Sequence, residues 1–75
     1  MQRPAYQALA RALRSKADLA GLSVRDLAAK LGRPSTTVHK TLGGQRRLDP
    51  IEFLEWCEVL GVDDPIALIE SVRRK

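Results

Sequence analysis

Apolar residues recur along this chain at three- and four-residue steps in five stretches, separated by polar and turn-forming residues. The first stretch predicts a helix over residues 4–20. Tyr6, Leu9, Ala10, Leu13 and Ala17 form its apolar stripe, and Arg11, Arg14 and Lys16 occupy other positions. Pro4 suits a first helical turn, and Asp18-Leu19-Ala20-Gly21 ends the helix. Leu22 is expected to tuck into the core. A second helix follows over 24–31, with Ser23 as N-cap and Asp26 completing a capping-box-like start. Leu27, Ala28 and Leu31 give it a stripe, and Gly32 ends it where a left-handed backbone costs nothing. A third helix spans 35–42, with Ser35 expected as its cap and Val38 as its only strongly apolar early residue. Ser35, Thr36, Thr37, His39 and Lys40 are too polar to serve a core.

The fourth helix, 50–60, opens with Asp49 as N-cap and Pro50 as first residue. Phe53, Trp56, Cys57 and Leu60 form its stripe, and Glu52, Glu55 and Glu58 occupy the rest. The two aromatics should anchor a small core. Gly61-Val62-Asp63-Asp64-Pro65 starts a fifth helix over 65–73, capped by Asp64. Its Ile66, Leu68, Ile69 and Val72 make a face too apolar for a lone terminal helix. Part of that face should pack back on the chain, and the remainder is the best candidate for a dimer contact. The tail Arg73-Arg74-Lys75 is expected to fray and add solubility.

The segment 23–42 therefore has a definite physical character. One short helix packs, a tight glycine turn follows, and a second short helix buries one side while its polar N-terminal residues project. Such a helix-turn-helix sets its two helices about 90–120° apart and can place the second in a DNA major groove. Ala28 is small where that helix crosses. Lys40 can donate to guanine O6 and N7, while Ser35, Thr36 and Thr37 can meet several bases, phosphate, or a thymine methyl. His39 is expected beside phosphate rather than as a base reader. Arg33, in the turn, is placed against the DNA backbone. Gly43-Gly44-Gln45-Arg46-Arg47 forms a basic loop whose Gln45, Arg46 and Arg47 are candidate phosphate contacts.

These residues resemble the Cro/Xre-type helix-turn-helix regulators, the family of phage Cro and repressor DNA-binding domains. Residues 21–40, GLSVRDLAAKLGRPSTTVHK, carry the motif, and residues 43–65, GGQRRLDPIEFLEWCEVLGVDDP, resemble the loop and helix that follow it. The resemblance implies an all-α fold, a five-helix lambda-repressor-like helix-turn-helix domain over residues 1–75. It also implies that the loop and the start of the next helix grip the phosphate backbone. Two positions depart from the family pattern. Val24 stands where a phosphate-binding Gln is common, so that contact is lost or passes to Arg25. Leu42 stands where a Glu commonly makes an intradomain polar contact.

Composition sharpens this picture. At 75 residues the chain is expected to be one domain with a small core, marginal unless it dimerises. A hydrophobic fraction of 44% argues against disorder. The single cysteine excludes an internal disulfide, and no apolar run approaches the ~20 residues of a membrane span. No signal-peptide apolar region opens the sequence. A cytoplasmic location is expected, in a bacterial or phage-encoded, nucleoid-associated protein with no cofactor and no small-molecule ligand. The net charge of +4 is unevenly spread. Residues 1–47 hold ten Lys/Arg against two acids, and residues 48–75 hold three against seven. The basic half carries the motif, as a polyanion-binding face requires.

The function this supports is a sequence-specific DNA-binding transcriptional regulator, a repressor acting as a homodimer on a pseudo-palindromic operator, with autoregulation consistent with its size. The alternative is an antitoxin-like or accessory interaction module using the last two helices. An enzyme has no support, because no His/Cys or carboxylate cluster lies at catalytic spacing.

Overall fold

The computed structural model describes residues 4–73. Five helices account for most of them: α1 Pro4–Leu19, α2 Val24–Leu31, α3 Ser35–Leu42, α4 Pro50–Leu60 and α5 Pro65–Arg73. There is no strand among the described residues. The apolar stripes predicted from the sequence face one another. Leu13, Leu27, Val38, Trp56 and Cys57 are almost completely buried at the centre, and Leu9, Ala17, Ala28, Leu42, Phe53, Leu60 and Val72 complete the core. Burying one such aliphatic or aromatic side chain contributes about 1.5–3 kcal/mol. Helix α1 is the spine, packing on α3, α4 and α5, while α2 packs on α3 and α4.

The connections follow from cap chemistry. Ser23 and Asp26 form the expected capping box. The Asp26 N–H donates to Ser23 Oγ at 3.1 Å, and the Ser23 N–H donates to Asp26 Oδ2 at 2.9 Å. The Ser23 backbone N–H foremost, and then the Ser23 side chain, hold the Asp26 carboxyl below its ordinary pKa. At the other end of α2, Gly32 adopts φ 66° and ψ 36°, and the Arg33 N–H closes onto the Ala28 carbonyl at 3.0 Å. The left-handed residue ends α2 and turns the chain toward α3. Asp49 caps α4, accepting from the Glu52 N–H at 2.7 Å, and Asp64 caps α5, accepting from the Ala67 N–H at 3.0 Å.

Ser35 does not cap α3. Pro34 holds the N-cap position at φ −61° and ψ 146°, and no side chain accepts there. Proline has no N–H and favours an extended ψ, so the helix begins directly after it. Its carbonyl accepts from the Thr37 and Val38 N–H groups at 3.1 and 3.2 Å. The Ser35 hydroxyl is thereby left exposed. Helix α3 runs to Leu42, whose side chain is buried. An apolar contact thus replaces the polar one a Glu would make.

Helix α1 stops at Leu19, one residue short of expectation. Leu22 packs partly buried against the core. On α5, Val72 is buried, Leu68 and Ile69 are half-buried, and Ile66 is 71% exposed. Arg73 reaches back to Glu70 at 2.8 Å, whereas Arg74 and Lys75 lie outside the described residues. Burial pushes the Cys57 thiol pKa up, as befits an inert core residue. No helix of the described residues is long and apolar enough to cross a membrane.

Candidate nucleic-acid interface

The exposed side of α3 follows from its register. At about 100° per residue, Ser35, His39, Thr36 and Lys40 fall within an arc of about 140°. Val38, Thr41 and Leu42 take the opposite side and are buried. Thr37 lies at the margin and is half-buried. The buried Thr41 hydroxyl donates to the Thr37 carbonyl at 3.0 Å, so no polar group on the inner face is left open.

An open groove of about 400 Å³ runs along this face, lined by Val24, Ser35, Thr36, His39, Lys40 and Gln45. It unites the start of α2, the exposed arc of α3 and the loop after it. His39 belongs to the middle of this arc rather than to its flank. Val24 was not anticipated as a lining residue. It contributes an apolar wall where the family commonly has Gln. Arg25, the next residue, is exposed at the opening turn of α2.

The loop 43–49 is tightly held. The Gln45 N–H donates to the Lys40 carbonyl at 2.9 Å, closing the end of α3. Gly44, at φ 75°, is buried against Gln7 of α1, whose side-chain amide donates to the Gly44 carbonyl at 3.4 Å. A Cβ on Gly44 would sit 2.6 Å from Gln7 Oε1. Arg47 stacks over the Tyr6 ring, 5.3 Å from its centroid, and stays exposed. Such a stack is worth about 0.5–1 kcal/mol at an exposed site. It orders the side chain without consuming its hydrogen-bond donors.

Arg33 and Arg46 have different surroundings. Arg46 Nη2 lies 2.9 Å from Glu52 Oε2, and Arg33 Nη1 lies 3.5 Å from the same oxygen. Arg33 also donates to Glu55 Oε1 at 3.0 Å, which raises the guanidinium pKa further. Among the described residues, no ion pair engages Arg25, Lys40 or Arg47. Glu52 is itself only 7% exposed, although it lies off the apolar stripe of the fourth helix. One signal in the sequence could have found it. Asp49 and Glu52 stand at capping-box spacing, which draws Glu52 back over the start of α4 toward the loop.

The sequence-predicted residues thus divide by position. Ser35, Thr36, His39, Lys40 and Gln45 share one groove, with Thr37 and Arg25 at its edges. Arg47 is presented on an aromatic platform, and Arg33 and Arg46 meet at a carboxylate behind α3. No group of three or more His, Cys, Asp or Glu side chains among the described residues is placed to hold a metal ion.

A family model described as a helix-turn-helix domain matches residues 7–68. The chain belongs to the helix-turn-helix domain family. The match runs from the second turn of α1 into α5, and it agrees with the resemblance to Cro/Xre-type regulators carried by residues 21–40 and 43–65. This helix-turn-helix domain is a DNA-binding one, of a family that is typically non-enzymatic. No curated protein and no solved structure matches the chain.

Proposed function

We propose that the protein is a sequence-specific transcriptional repressor that binds a pseudo-palindromic operator as a homodimer and controls its own synthesis. The observation that carries this reading is the exposed arc of α3. Ser35, Thr36, His39 and Lys40 stand side by side in an open groove and have no part in the core. In a major groove, Lys40 reads guanine and the hydroxyls of Ser35, Thr36 and Thr37 take adjacent edges. Val24 adds an apolar surface suited to a thymine methyl. Arg25, Gln45 and Arg47 contact phosphates beside the reading helix. The first N–H groups of α3 have no side-chain cap, and a phosphate there would satisfy them.

Dimerisation is supported by a second, apolar groove. A groove of about 480 Å³ between α4, α5 and α1 is walled by Phe53, Leu54, Pro65, Ile66 and Ile69. Leu54 and Ile66 are 50% and 71% exposed. Two copies joined there would present their α3 helices to successive major grooves about 34–36 Å apart. Repression follows by occluding polymerase, with control resting on protein concentration in the cytoplasm. The same apolar groove supports a second reading, an antitoxin-like module whose partner is another protein.

Fluorescence anisotropy with DNA from upstream of the protein's own gene and a scrambled duplex tests the reading. A preference of about 10³-fold or more, saturating at a dimer per duplex, is the expected result. Equal, weak, salt-sensitive binding to both would favour the interaction module.

A further inference from the structure

The pair of arginines that sequence reasoning placed on DNA phosphates flank the two ends of α3, and one carboxylate collects both. Arg33 precedes the helix and Arg46 follows it. Glu52 Oε2 lies within ion-pair distance of each, at 3.5 and 2.9 Å, and its side chain is 9% exposed. Neither contact has the alignment of a hydrogen bond, since Oε2 is buried with no hydrogen-bond partner. The attraction is between charges. Arg33 commits its remaining outer nitrogen to Glu55, and its Nε is buried. Arg46 Nη1 turns to the Arg47 carbonyl at 3.5 Å, and the side chain lines a crevice against Leu9, Leu13 and Thr41. Arg33, Arg46, Glu52 and Glu55 carry two positive and two negative charges. The cluster is therefore neutral as a whole. It offers a polyanion no net attraction, yet it ties the turn before α3 and the loop after it to the first turn of α4.

We propose that Glu52 is a positioning residue that clamps both ends of α3 onto α4, and that Arg33 and Arg46 serve DNA recognition through this clamp rather than by neutralising phosphate. The proposal rests on the DNA-binding reading of α3. It separates the basic residues into classes. Arg25, Lys40 and Arg47 act on the polyanion directly and contribute to the salt dependence of binding. Arg33 and Arg46 set the angle at which the α3 side chains arrive. They govern the discrimination between sequences while leaving the counterion balance alone.

The test uses the full chain and two probes: a random-sequence duplex, and a duplex selected by the wild-type protein from a randomised library. Each neutralised phosphate contributes about −0.9 to the slope of log K against log salt. Arg47→Gln should flatten that slope by about this amount on the random duplex. Arg33→Gln and Arg46→Gln should leave it unchanged, while lowering the selected-over-random preference by roughly tenfold or more, a single misplaced base contact being worth about that much. Glu52→Gln keeps the shape and capping reach of the side chain and makes the protein more positive. It should nevertheless lower the preference to the same extent. The double variant Glu52→Gln/Arg46→Gln should be no worse than either single one, because each breaks the same clamp. Should Glu52→Gln be unfolded at the assay temperature, Arg33→Lys replaces it. That variant keeps the charge and loses the reach to two carboxylates, and the same loss of preference at unchanged slope is expected. A slope reduced by about 0.9 in Arg33→Gln or Arg46→Gln would overturn the proposal by making these residues phosphate ligands. So would additive losses in the double variant, or an undiminished preference in a folded clamp variant. If the wild-type protein selects no sequence and binds no duplex at low salt, the DNA-binding reading fails first and takes the clamp with it. A selective wild type with slope-reducing Arg46→Gln sinks the clamp alone.

Discussion

Gly32→Ala isolates the backbone requirement of the turn. Gly32 sits at φ 66°, and a Cβ built there meets no atom within 4 Å. The substitution therefore creates no clash and removes no contact. Its whole cost is conformational, because a side chain on a left-handed residue crowds the following carbonyl by roughly 1–2 kcal/mol. For a chain of this length each kcal/mol moves the melting midpoint by about 4–8 °C. Thermal unfolding followed by circular dichroism should place Gly32→Ala on the order of 4–16 °C below the wild type. Gly32→Asn should fall by less, since asparagine tolerates this region better. The sign of the change decides the matter. At an ordinary negative φ, replacing glycine by alanine stabilises by about 0.4–1 kcal/mol, because it restricts the unfolded chain. A midpoint equal to or above the wild type would mean that Gly32 is not left-handed. The tight turn setting the angle between α2 and α3 would then have to be abandoned.

The capping box makes stability depend on pH. Asp26 has its folded pKa held below the ordinary carboxylate value, so its contribution is present above about pH 4 and lost as pH falls through the folded pKa. The melting difference between wild type and Asp26→Asn should be full at pH 7 and vanish in strong acid; a difference independent of pH would contradict the box. Trp56 is 1% exposed, and Trp56→Ala should cost about 3–5 kcal/mol. That is comparable with the whole stability of a domain this small, so a cooperative unfolding transition retained near the wild-type midpoint would count against its central place. Lys40→Ala should cost about 1–3 kcal/mol on cognate DNA and relax a base position; equal losses on cognate and random DNA would remove its reading role. Leu54→Glu and Ile66→Glu, both at exposed sites, should leave the fold intact and shift sedimentation from dimer to monomer, and an unchanged dimer would place the interface elsewhere.

Much of the fold was legible because local rules and the apolar pattern agreed. Ser23 with Asp26, Gly32 in its turn, Asp49 before Pro50 and Asp64 before Pro65 each mark a boundary by chemistry confined to a few residues. The stripes of α1 and α4 met in a single core because nothing else could cover them. Ser35 was misread as a cap because its side chain suits that role. Pro34 took the position instead, since its fixed φ and missing N–H make it a natural boundary. The exposed arc of α3 was readable from helical spacing. What surrounds it was not. Glu52 joins Arg33 and Arg46 across stretches of chain that no local pattern relates, and Tyr6 and Gln7 support the loop from the far end of the sequence. Such pairings depend on how α1 and α4 dock, which periodicity does not report.

Amide chemical shifts decide whether the exposed face of α3 and the loop after it meet DNA. A titration of isotopically labelled protein with a selected duplex should move the signals of Ser35 to Lys40, Gln45 to Arg47 and Arg25 most, with α5 affected little beyond the proposed dimer contacts. Perturbations concentrated on α4 and α5, with Ser35 to Lys40 unmoved, would rule out DNA contact by α3 and turn attention to a protein partner in the apolar groove.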